Sequence, residues 1–171
     1  DTNKLERAQK RLKFEELFFL QFHLLKMKLT RIKKHKGFIF KKVDNYFNNY
    51  FKNHLQFELT NAQKKVLKEI RADVKRGAQM NRLLQGDVGS GKTLVALLSM
   101  LMAVDNNFQS CMMAPTEILA HQHFKNISYE LKELDLKVAI LTGSIKTKER
   151  KGLHQQLENG EIDILIGTHA L

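Results

Sequence analysis

Eight consecutive residues carry the strongest chemical signal in the chain: Gly86, Asp87, Val88, Gly89, Ser90, Gly91, Lys92 and Thr93, spaced as G-x-x-x-x-G-K-T. Glycines at these places permit the φ angles and the close approach that let backbone N–H groups curl around phosphate oxygens. Lys92 is the candidate catalytic residue, able to reach the β- and γ-phosphates of a nucleoside triphosphate as a point charge. Thr93 can set its hydroxyl on Mg²⁺, and a helix opening here aims its positive dipole end at the same anion. A glycine-rich turn between a strand and a helix would satisfy the spacing alone. The flanks add to it: Leu83-Leu84 reads as a short buried strand before the loop, and Leu94-Val95-Ala96-Leu97-Leu98 as a buried helix after it.

Alternating strands and helices position this loop. The spacing predicts a helix over 92–104, a strand over 110–114, a helix over 116–134, a strand over 137–141, a helix over 146–157 and a strand over 162–166. That order means right-handed βαβ units and a parallel sheet, whose ligands gather at the carboxyl ends of the strands. Pro115-Thr116-Glu117, Thr142-Gly143-Ser144 and Gly167-Thr168-His169 fall at those ends, where small polar residues and helix N-termini can hold phosphates of a nucleic-acid strand. Upstream, Val66, Leu67, Ile70 and Val74 have helical spacing; Thr60 with Gln63 forms a capping-box pattern and Gly77 a helix stop. Residues 4–36 contain neither Pro nor Gly and predict one helix, roughly 50 Å long, ended by Gly37. Its middle, Leu17-Phe18-Phe19-Leu20, is apolar around most of the circumference and calls for cover by another element or domain. A shorter helix is expected over 44–55, with Tyr46, Phe47, Tyr50 and Phe51 either in the core or stacking bases.

The 171 residues, 43% of them hydrophobic, suffice for one α/β core with an appendage. No run of about 18 apolar residues occurs, so no transmembrane helix is expected. The single Cys111, in an apolar strand-like segment, excludes a disulfide framework and reads as a buried thiol in a reducing cytoplasm. Net charge is +11; residues 1–56 hold 14 basic and 5 acidic residues, and 57–171 hold 15 and 13. Between Lys26 and Lys42 stand Lys26, Lys28, Arg31, Lys33, Lys34, Lys36, Lys41 and Lys42 with no acid. The run suits a polyanion such as DNA, or else forms a solvated basic face. A start at Asp1 rather than Met, and a finish just past an apolar strand, suggest an excerpt of a longer protein.

Phe57 to Gln63, Arg82 to Thr93, Met113 to Ala120 with Gln122-His123, Leu141 to Ser144 and Ile166 to Leu171 together resemble, in order, the first motor domain of the RecG family. These are bacterial superfamily 2 helicases of branched DNA. The resemblance implies a RecA-like P-loop NTPase lobe over 57–171, behind a basic helical linker over 1–56, with ATP and Mg²⁺ as cofactors. It implies that Phe57 and Gln63 hold adenine, which for Gln63 stands beside the capping role. It also implies that Thr116, Glu117, Thr142, Gly143, Thr168 and His169 touch the backbone of duplex or branched DNA. Partners would be DNA, a wedge domain and a second motor lobe, with no membrane. The transcription-repair coupling factors are similar but typically carry Phe where Ser90 stands.

Hydrolysis in such motors needs an acidic pair at the end of a strand. Asp163 precedes its strand, and Asp105 and Asp135 follow helices, so this chain is expected to bind ATP without turning it over. A nucleotide kinase sharing only the loop, or a DNA-binding fragment with an idle loop, are the remaining readings.

Overall fold

Sequence free of glycine and proline gives the first helix, α1, over Thr2–Lys34. The computed structural model describes residues 2–169; Asp1, and the Ala170 and Leu171 that close the last motif, lie outside the described residues. Along α1 the large apolar side chains are open to solvent, Leu17 at 62% and Phe19 at 64%. Phe18 stacks on its own helix neighbours Phe14 and Phe22, with ring centroids 5.7 and 6.2 Å away, and meets Phe19 edge-on at 5.6 Å.

Gly37 does not end this helix by a left-handed turn. Helix α1 stops at Lys34, and glycine is required because a Cβ at position 37 would meet the backbone carbonyl of Ala78 at 2.6 Å. The Gly37 N–H donates to the Gly77 carbonyl at 2.8 Å, and Lys36 and Ala78 form an antiparallel bridge. Gly77 itself adopts φ 68°, the conformation expected of a helix stop.

Residues 40–47 are held by side chains from elsewhere. The Arg71 guanidinium donates to the carbonyls of Phe40, Lys41 and Lys42 at 3.2, 3.2 and 2.9 Å. The buried Asp105 carboxylate accepts from the N–H groups of Asp44, Tyr46 and Phe47 at 2.8, 2.9 and 3.3 Å. It thereby starts helix α2 (Asn45–Asn49), which loosens into a π-helical turn over Tyr50–His54 in place of one continuous helix. Tyr50 is 2% exposed, and Tyr46 and Phe47 pack on the same core; Phe51 stays accessible.

Helix α3 (Asn61–Val74) buries Leu67, Ile70 and Val74 and carries the expected capping box. Residues 79–86 form no strand. Leu83 is 86% exposed, because among the described residues no strand lies alongside to pair with it. Helix α4 (Lys92–Val104) is buried nearly all round, with Leu98 and Leu101 fully enclosed, so cutting either to Ala would cost about 2–5 kcal/mol.

Next come β1 (Ser110–Met113), α5 (Glu117–Glu130), β2 (Val138–Leu141), α6 (Thr147–Glu158) and β3 (Ile164–Gly167). The sheet is parallel, in the order β1-β3-β2, with Ser110 and Val138 both opposite Ile164. One face, through Ile164 and Ile166, joins the main core with α3, α4 and α5; the other, through Ala139, Leu141 and Leu165, packs on Leu153 and Leu157 of α6. Among the described residues no β1 side chain belongs to that second cluster. Cys111 is therefore exposed rather than buried, and Met113 is 60% exposed beside it.

Candidate nucleotide and nucleic-acid site

The loop before α4 turns at Asp87, whose carbonyl accepts from the Ser90 N–H at 3.2 Å. Gly89 and Gly91 take φ 80° and 77°, a region costly for residues with a Cβ, and Gly91 is the N-cap of α4. Gly91 is required a second time, because a Cβ there would collide with Gln63 Nε2; a Cβ at Gly86 would stand 2.6 Å from Ser90 Oγ. Val88 is wholly exposed at the tip. Lys92 folds back into the ring, its Nζ donating to the carbonyls of Gly86 at 2.8 Å and Asp87 at 2.7 Å, with Ser90 Oγ at 3.5 Å. An ammonium thus sits inside a ring of backbone at the N-terminus of a buried helix, an arrangement suited to a phosphate chain. Thr93 is exposed one residue further on, free to present its hydroxyl.

Gln63 joins the cap of α3 to this loop. Its Oε1 accepts from the Thr60 N–H at 2.9 Å and its Nε2 donates to the Ser90 carbonyl at 3.0 Å, while Thr60 Oγ1 accepts from the Gln63 N–H at 3.2 Å. Phe57, 60% exposed, edges a cavity of about 280 Å³ that also reaches Gly91 and Thr93, a size and position that fit a base and its sugar. Gln63 does not line that cavity; it touches the loop instead.

The other predicted residues cluster at the carboxyl ends of the strands. Thr116 caps α5, its side chain accepting from the Leu119 N–H at 3.3 Å. Glu117 Oε1 accepts from the Ser144 N–H at 3.0 Å and stands 3.3 Å from where a Gly143 Cβ would be. The ends of β1 and β2 are thereby stapled together. Thr142, expected as a DNA contact, is 0% exposed: it shares a hydrogen bond with Ser144 Oγ at 3.0 Å, and its carbonyl accepts from Arg150 Nη2. Its role is to shape this corner. Thr168 donates its N–H to the Leu141 carbonyl at 3.4 Å, and His169 is exposed.

Within the basic run Lys42 is paired with Asp44 at 2.7 Å, so the run is not free of local acids as its sequence suggested. Arg82, leading into the loop, bonds Asp73 at 2.6 Å and Glu69 at 2.7 Å on α3. The Arg82 hydrogen bond holds the Asp73 carboxyl below the usual carboxylate range. The Arg82 pairs, like the Asp105 and Arg71 anchors, are missed by spacing arguments because their partners belong to other elements of the fold. Among the described residues no group of three His, Cys, Asp or Glu side chains is placed to hold a metal ion, and no helix is long and apolar enough to cross a membrane.

The family model of DEAD/DEAH box helicases matches residues 60–171. The chain belongs to that family. Its similarity to RecG helicases runs from end to end: it is 47% identical over 162 residues to the ATP-dependent DNA helicase RecG of Aquifex aeolicus, covering 95% of this chain and 20% of that protein. Against the Synechocystis RecG the figures are 42% over 171 residues, 100% and 20%. The chain therefore spans about a fifth of the length of these curated relatives. A structure of RecG bound to a three-way DNA junction matches with a TM-score of 0.88 and 45% identity, over 98% of this chain and 23% of that one. A hypothetical ATP-dependent RNA helicase from Sulfolobus tokodaii, at 20% identity and a TM-score of 0.51, shares the fold.

Proposed function

We propose that this chain is the ATP-binding motor lobe of a RecG-like DNA helicase, working in the cytoplasm on branched DNA such as stalled replication forks. The observation that carries the reading is the backbone ring of Gly86 to Gly91, closed on Lys92 and backed by Gln63. In this reading the Lys92 ammonium exchanges two carbonyls for the β- and γ-phosphates, and gains from a charge-assisted contact. Thr93 would hold Mg²⁺, which supplies neutralisation of the phosphate charge. Phe57 would lie on one face of adenine. Gln63 would act on the loop it touches, so that the cap of α3 and the nucleotide share one amide.

DNA would lie across the carboxyl ends of the strands, where Thr116, Gly143, Thr168 and His169 are accessible or partly so and Glu117 fixes the spacing between two of the ends. These are groups suited to backbone rather than to base readout. A wedge domain and a second motor lobe, expected elsewhere in the parent protein, would complete the machine.

The deciding experiment is strand separation of a three-way junction by the protein that carries this lobe. ATP-dependent unwinding that disappears with Lys92→Ala supports the reading; unwinding with an unaltered rate in that variant contradicts it.

A further inference from the structure

A cleft of about 250 Å³ opens where the last turns of α1 meet the end of α3 and the segment that follows it. Lys28 and Arg31 reach it from α1, three positions apart and so on one face, and Arg76 reaches it from just beyond α3. Helix α3 touches the phosphate loop through its opposite end, at Gln63, and its 14 residues put about 20 Å between the two places. The cleft is thus separate from the loop at Lys92.

The Nε of Arg31 is closed off from solvent, and among the described residues nothing accepts a hydrogen bond from it. A buried charged donor without a partner is costly, so the position favours an incoming acceptor. Asp73, the one acid on the wall of the cleft among the described residues, is already engaged: its Oδ2 accepts from Arg82 Nε at 2.6 Å, and its Oδ1 lies 3.6 Å from Arg76 Nη1. The Arg82 hydrogen bond first, with Arg76 and Lys28 adding to it, holds the Asp73 carboxyl below its ordinary range, so the Lys28 charge acts across the cleft from one helix to the other. Arg76 is 71% exposed and too far from Asp73 for a hydrogen bond, which leaves its guanidinium able to turn inward. With Arg82 and its second partner Glu69 included, four cations face two acids, and two positive charges go unanswered.

The cations approach from two helices, and the amide side chains of Gln79 and Asn81 line the cleft from a third side. A carboxylate offers its oxygens in one plane; a phosphate group offers them in several directions and suits donors so arranged. The planar fork of Arg31, with Nε as one tine, matches two oxygens of such a group. We propose that this cleft binds one phosphate group, as a phosphodiester of a DNA strand or as free orthophosphate, with Arg31 as its buried anchor. The site stands whether or not the loop at Lys92 takes nucleotide.

The test is an NMR titration of the full chain in which orthophosphate replaces chloride at constant ionic strength, so that screening does not change. The Arg31 Nε–H resonance and the backbone amides of Gln79 and Asn81 should shift saturably; phosphate entering the distant loop does not register there. Arg31→Lys keeps the charge and loses the fork, and should weaken binding, read on the two amides, about tenfold or more. Arg76→Gln should weaken it about threefold or more; the position is exposed, so this variant keeps the fold and carries the test independently. Lys10→Gln removes an equal charge elsewhere on α1 and should change affinity less than about twofold. A short DNA duplex that displaces orthophosphate assigns the cleft to the phosphodiester, and one that leaves the shifts in place assigns it to the free ion; both outcomes support the site. No saturable shift with either probe, or affinity in Arg31→Lys and Arg76→Gln equal to that of the parent, would overturn it.

Discussion

Gln63 and Ser90 are joined by a single hydrogen bond of 3.0 Å, from the side-chain amide of one to the backbone carbonyl of the other, and that bond ties the start of α3 to the loop before α4. The opposite end of the same amide completes the cap of α3. Gln63→Glu keeps the acceptor that the cap uses and loses the donor that the loop uses. Thermal stability should change little, while ATP affinity should fall about tenfold, as for loss of a hydrogen bond with a carboxylate then set against a carbonyl. Titration calorimetry paired with a melting curve separates the two effects; equal affinity in the variant would confine Gln63 to capping.

Lys92 makes its bonds inside the loop, to the carbonyls of Gly86 and Asp87. Lys92→Ala should therefore weaken MgATP binding by about 2–4 kcal/mol and leave the melting temperature nearly unchanged. Unaltered affinity by calorimetry would show that the loop does not hold nucleotide.

Turnover is a separate matter from binding. Asp163 is occupied structurally, its Oδ2 accepting from the Lys137 N–H at 2.7 Å ahead of β3. Without a water-positioning acid and an arginine finger the rate should fall by about 10⁵ or more. DNA-stimulated phosphate release near one per second from the 171-residue chain would sink this expectation.

If four or five of the basic residues between Lys26 and Lys42 meet DNA phosphates, log K against log salt should have a slope of roughly −4, nearly independent of base sequence. Changing Lys33, Lys34 and Lys36 together to Gln should flatten it by up to about three units and spare ATP binding. A slope that stays put assigns DNA contact to the strand ends.

Arg82 lowers the pKa of Asp73, so the folded state favours the ionised carboxyl more than the unfolded chain does. The resulting stabilisation is present in full above the ordinary carboxylate pKa of about 4 and is lost as pH falls through the lowered value in the folded protein. Arg82→Gln should reduce the melting temperature at pH 7 and make almost no difference near pH 2. A loss of the same size at both values would mean that packing, not charge, is what Arg82 contributes.

Periodicity made the helices legible. Leu67, Ile70 and Val74 marked a buried stripe, and Thr60 with Gln63 marked its start. The phosphate loop was readable because its chemistry is local, with every part of it within eight residues. What stayed hidden depends on distance or on neighbours. Asp105 and Arg71 grip backbone groups 29 to 61 residues away, and no spacing rule announces such partners. Leu83-Leu84 has strand-like composition, yet a strand exists only where another lies beside it. Cys111 has the composition of a core residue, yet it stands outside the cluster that α6 forms with β2 and β3. The burial of Thr142 follows from a bend that brings Ser144 back over it, which is tertiary information.

Helix α4 begins at Lys92 inside the phosphate ring and is capped at its other end by Asp105, which grips the amides of residues 44, 46 and 47. Its 13 residues make a rod of about 20 Å, enclosed on nearly all sides and hence hard to bend. A rod gripped at both ends is a stiff link between them. With nucleotide bound as proposed, a shift at Lys92 would reach Asp105 and the segment that leads back to α1, and a pull on α1 would reach the phosphates by the same path.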